Sequence, residues 1–105
     1  MSASKALAYL GFARKSGNLR AGVNAVSTLK KVNLLIVCST ASLNTVKEAE
    51  KLAAKFACPL METKISAEEI SGKENCKLLA VTDANLARAI IDNSDDNFTL
   101  KIRRL

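Results

Sequence analysis

The sequence predicts an α/β protein: a three-layer α/β/α sandwich around a mixed sheet of four or five strands. Three observations predict it. The run Leu34-Leu-Ile-Val-Cys38 and the centre of residues 77–82 are apolar throughout, as in strands covered on both faces. The segments around them carry apolar residues at helical spacing. Strands and helices alternate along the whole chain, which implies a layered domain with a largely parallel sheet.

Helix one is expected over residues 4–15, with Ser4 as its cap and Leu7, Leu10 and Arg14 or Ala13 on one stripe. Ser16-Gly17-Asn18 ends it, Gly17 being suited to a left-handed turn. Residues 19–21 form a short strand. Helix two covers residues 23–31, closed by Lys30 and Lys31 at the negative end of its dipole. The strand 34–38 follows, then a polar loop and helix three over residues 43–57. In that helix Leu43, Val46, Ala49, Ala53 and Phe56 face inward, and Glu48 and Glu50 neighbour Lys51 and Lys55. Pro59 opens a strand to Thr63. Ser66 and Glu69 fit a capping box, and Ile65 and Ile70 a hydrophobic staple, so a short helix follows. Residues 71–75 turn into the strand 77–82. Asp83 caps a helix over 84–92, and residues 93–97 turn again. Phe98, Leu100 and Ile102 alternate with polar neighbours, as a half-exposed terminal strand does.

The chain of 105 residues supports one domain, residues 1–105. An apolar fraction of 49% allows a genuine core, and one Pro with four Gly argues against a disordered chain. Cys38, Cys58 and Cys76 lack close metal-ligand spacing and read as buried thiols. With no His, histidine triads and zinc–histidine sites are excluded. The N-terminal stretch is too short in apolar core for a signal peptide, and no run would cross a bilayer. A cytoplasmic monomer away from membranes is expected.

Charge is unevenly placed. The first 47 residues hold seven basic side chains and no acid, whereas residues 48–105 hold nine basic and ten acidic groups. Concentrated positive charge suits a polyanion. Inside that half lies Leu10-Gly-Phe-Ala-Arg-Lys-Ser-Gly-Asn-Leu-Arg-Ala-Gly22, a helix end, a turn and the entrance to a second helix. Gly22 has no side chain to cap the first amides, so they stay open to a phosphate or a base carbonyl. Arg14, Lys15 and Arg20 flank that opening. Aromatics are too few for a stacking sheet, so RNA would be read by a helix end and loops.

This run resembles the opening of the kink-turn-binding ribosomal proteins, the family of archaeal L-seven-Ae and eukaryotic L-thirty-e, in its bacterial YlxQ-like branch. The resemblance extends in element order over nearly the whole chain. It implies an α/β/α sandwich whose RNA site is the start of helix two plus two loops. The family pattern there is Gly-x-Asn-Glu-x-x-Lys. Gly22 and Asn24 match it, while Ala25 replaces the glutamate and Thr28 the lysine. The second loop corresponds to residues 70–73, where Gly72 and Lys73 remain.

No other constellation competes. Gly72-Lys73 lacks a full phosphate loop, Gly11, Gly17 and Gly22 lack dinucleotide spacing, and no acid–base pair is evident. The expectation is a non-enzymatic protein without cofactor or metal that binds ribosomal or other structured, kink-turn-like RNA, with the ribosome as a candidate partner. Gly22, Val23, Asn24 and Thr28 would approach the bases. Arg14, Lys15, Arg20 and Lys31 would hold phosphates, and Gly72 and Lys73 would close the site. The alternative, motivated by Ala25 and Thr28, is a protein-interaction adaptor on the same fold. Lys101, Arg103 and Arg104 form a second basic cluster, read as protection of an edge strand.

Overall fold

A computed structural model describes residues 4–102. Five strands form one sheet: β1 (Leu19–Ala21), β2 (Leu34–Cys38), β3 (Leu60–Thr63), β4 (Leu78–Val81) and β5 (Phe98–Ile102), in the order β1-β4-β2-β3-β5. Five helices flank it: α1 (Lys5–Lys15), α2 (Val23–Ser27), α3 (Leu43–Phe56), α4 (Ala67–Ser71) and α5 (Ala84–Asp92).

The central strands bury both faces, and their alternate residues divide the core in two. Leu34, Ile36, Leu79 and Val81 pack with Ala6 and Leu10 of α1, Ile70 of α4, and Ala87 and Ile90 of α5. Leu35, Val37, Leu78 and Ala80 pack with Val26 of α2 and Ala49, Leu52 and Ala53 of α3. That division is the three-layer α/β/α sandwich. Cys38, Cys58 and Cys76 are all buried.

The sheet is mixed, as expected, but it is not largely parallel. Only β2 and β3 run parallel; β1–β4, β2–β4 and β3–β5 are antiparallel. The apolar runs signalled burial on both faces, which follows from flanking helices whatever the strand direction. In β5, Phe98 is buried and Thr99 and Lys101 are exposed, matching the alternation. A register shift opposite Leu60 and Met61 makes Lys101 the extra residue of a bulge, and its ammonium lies 3.7 Å from Glu62. Arg103 and Arg104 lie outside the described residues.

Capping agrees with expectation at α1 and α5, and α3 gains a cap from a residue expected only in a polar loop. The hydroxyl of Ser4 accepts from the Leu7 amide, Ser42 from that of Thr45, and the Asp83 carboxylate from that of Leu86. Other local expectations fail. Leu43, expected to face inward from α3, is 69% exposed. The Ser66 side chain makes no capping bond to α4, so no capping box forms. Thr63 takes over the entry instead, its buried hydroxyl donating to the Ile65 carbonyl and accepting from the Ile65 amide, both at 3.0 Å. Helix two stops at Ser27 rather than residue 31. The hydroxyls of Ser27 and Thr28 donate to the carbonyls of Asn24 and Ala25, each at 2.9 Å, and so compete with continuation of the helix. Lys30 and Lys31 therefore complement no helix end. Lys55, expected beside an acid, donates instead to the Ser27 carbonyl at 3.2 Å and ties α3 to α2.

Candidate nucleic-acid interface

Gly22 adopts φ 95° and ψ 145°, a conformation essentially restricted to glycine. It turns β1 into α2 in a single residue, while its own amide donates to the Leu78 carbonyl at 2.8 Å. The chain thus swings across the end of the sheet, and no side chain caps α2. Against this corner lies a cleft of about 410 Å³, lined by Gly22, Val23, Asn24 and Ala25 on one side and residues 73–77 on the other, with Thr45 from the first turn of α3.

The loop after α4 is held rigidly. Gly72 ends the helix in the left-handed conformation at φ 74°. The Ser71 hydroxyl accepts from the Lys73 amide at 3.1 Å and contacts the Cys76 sulfur at 3.2 Å. The Glu68 carboxylate accepts from the Asn75 amide at 2.6 Å. The Lys73 ammonium crosses the gap and donates to the Ala21 carbonyl at 3.1 Å, next to Gly22. The Arg14 guanidinium lies directly over Gly72, in the space that a Cβ there would occupy.

Lys77 adds a cation that sequence reasoning missed. Its ammonium donates to the Thr40 hydroxyl at 3.1 Å, and that hydroxyl contacts the Cys38 sulfur at 3.2 Å. Burial raises the Cys38 thiol pKa, but bonds with Thr40, a backbone contact to Ala67 and the Lys77 charge together leave it lowered. The one acid in the lining is Glu74. Helix α2, five residues long, has a small dipole. The larger one belongs to α3, with 14 residues and no acid in its first turn, which begins beside the cleft.

The structure therefore brings together Gly22, Val23, Asn24, Gly72 and Lys73, with Arg14 at the rim. Val23 is half-buried against the core, whereas Asn24 is exposed. The remaining expected residues lie elsewhere. Thr28 ends α2, its hydroxyl turned back to Ala25. Lys31 sits in the connection to Leu34, at the opposite end of the sheet, because Gly22 adjoins Leu78 while Asn33 bonds to Val81 at the other end of β4. Arg20 donates to the carbonyls of Gly17 and Leu19, at 2.8 and 3.2 Å, which holds it over the α1–β1 turn together with exposed Lys15. One expected surface thus resolves into a compact cleft and a separate basic turn. Helix two and β4 are far apart in the chain and are brought together by the pairing of β1 with β4 and by the packing of Val26 with Leu78 and Ala80, so Lys77 could not be assigned to the site from spacing along the chain.

The cleft can do specific chemistry. Lys73 and Lys77 offer ammonium donors to an anion. Asn24 offers both a donor and an acceptor to a base edge. No helix among the described residues is long and apolar enough to cross a membrane.

No protein-family model matches the chain, and no curated protein matches it. Among solved structures it is similar to a protein of unknown function from Bacillus halodurans, with a TM-score of 0.71 and 26% identity over 84% of this chain and 94% of that one. That similarity supports the α/β sandwich.

Proposed function

We propose that this chain is a non-enzymatic, cytoplasmic RNA-binding protein that takes structured, kink-turn-like RNA, ribosomal or otherwise, in the cleft between Gly22 and Lys73. The single observation that carries the reading is the convergence there of an uncapped glycine corner, the exposed Asn24 amide and the cations Lys73, Lys77 and Arg14. The resemblance to the kink-turn-binding ribosomal proteins supports the same reading at Gly22, Asn24, Gly72 and Lys73. Phosphates would lie on the cations and a base edge on Asn24.

Three phosphate contacts imply a log–log salt slope of roughly −2.7, so affinity should fall about fortyfold between 50 and 200 mM salt. Filter binding of a kinked RNA duplex across that range tests the proposal, and salt-independent binding would contradict it. Asn24→Ala should weaken the preferred RNA more than an unrelated one.

The adaptor reading keeps one specific support: Ala25 carries no polar reach and the Thr28 hydroxyl is occupied by the Ala25 carbonyl. A partner protein retained after ribonuclease treatment, with no measurable RNA affinity, would favour it.

A further inference from the structure

Phe12 stands 59% exposed on α1. A single exposed apolar side chain is ordinary; its setting is what carries an argument. Helical geometry puts Ala8 and Gly11 beside it on the outward face, and both are too small to cover the ring. Tyr9 leans toward it at 6.5 Å between centroids and 50° between planes. One turn further on is Lys15, followed by Arg20 held over the α1–β1 turn. Neither cation forms an ion pair among the described residues, and α1 contains no acid.

From this arrangement we infer that the outer face of α1 is a stacking platform for an unpaired nucleotide, with Phe12 under the base and Lys15 and Arg20 on the adjoining phosphates. The inference rests on the RNA reading of the cleft and extends it: the RNA carries a single-stranded flank. Continuity supports this occupant. Arg14, two residues after Phe12, lies over Gly72 at the rim of the cleft, so the platform and the cleft are separated by about one helix width, some 10 Å. The charge fixes the direction of the strand. At the other end of α1, Lys5 borders a bay lined by Asp92, Asp95 and Asp96, which repels a polyanion. A docked protein is less well served. Leu7, the other exposed large apolar residue of α1, projects on the flank away from Phe12, so no broad apolar patch forms. An aromatic ring beside unpaired cations is what a base and its phosphates need.

The test compares three probes with the full chain: a blunt kinked duplex, the same duplex with a six-uridine single-stranded flank, and a uridine oligomer alone. The flank should strengthen binding about tenfold. Phe12→Ala should abolish that gain and leave the blunt duplex unchanged, and Phe12→Tyr should keep it. A flank that adds nothing, or a gain that survives Phe12→Ala, overturns the inference. Should the blunt duplex fail to bind while the uridine oligomer binds and depends on Phe12, the cleft reading falls and the platform stands. If Phe12→Ala instead abolishes self-association in sedimentation and leaves every RNA unaffected, the face is a protein contact and the inference is wrong.

Discussion

Replacing Gly22 by alanine isolates the backbone strain at the mouth of the cleft. A Cβ at Gly22 would meet only the Lys73 ammonium, at 3.7 Å, an ordinary contact. Space is therefore not the obstacle. The obstacle is φ 95° with ψ 145°, which an L side chain resists. Such a conformation costs about 1–3 kcal/mol. Taking about 2 kcal/mol and a urea slope near 2 kcal/mol per molar, the unfolding midpoint should fall by about 1 M with the slope unchanged. Gly11→Ala is the control. Gly11 lies inside α1, where a Cβ meets nothing within 4 Å, so the exchange should stabilise the protein by about 0.5–1 kcal/mol. Urea titration followed by far-ultraviolet circular dichroism measures both. A Gly22→Ala midpoint equal to that of the unmodified protein would refute the corner as described.

Three further outcomes are expected. Lys73→Glu should weaken RNA binding at least tenfold, whereas Lys31→Glu, at the far end of the sheet, should change it by less than about twofold; filter binding distinguishes them. Ala57, exposed at the end of α3, is left-handed at φ 51°, so Ala57→Gly should stabilise by about 1 kcal/mol, read as a rise of about 4 °C or more in the thermal midpoint. Asp95 has its pKa lowered chiefly by the Ser4 hydroxyl, which donates to it at 2.8 Å, with help from the amides of Asn97 and Phe98 and opposition from slight burial. A lowered carboxylate stabilises above its unfolded pKa of about 4, and the contribution fades as pH falls through the folded value. Asp95→Asn should therefore flatten the acid side of the stability–pH profile and leave its neutral shape unchanged.

The elements were legible where local chemistry decides them. Ser4 and Asp83 each bond to an amide of the first turn, and the even burial of β2 and β4 matches their apolar runs. The direction of β4 was not legible, because pairing partners are far apart in the chain and apolar content is blind to direction. The end of α2 was missed because Ser27 and Thr28 look tolerable in a helix until their hydroxyls are seen on Asn24 and Ala25. For the candidate site, Gly22 and Lys73 were visible as separate signals 51 positions apart, and their meeting at the Ala21 carbonyl required the fold. Lys77 gave no signal, since a lysine at the first position of an expected strand reads as solvated surface. Lys31 was expected beside Gly22 and lies at the other end of the sheet, because density of charge along a chain does not report which end of a sheet each charge occupies.

The most direct measurement of the cleft reading is a competition for the protein between a kinked RNA duplex and a straight duplex of equal length and charge, at fixed salt. The kinked duplex should win by tenfold or more, and Asn24→Ala should erase the preference while most of the affinity remains. Equal competition by the two duplexes, unaffected by Asn24→Ala, would contradict structured-RNA recognition at this cleft.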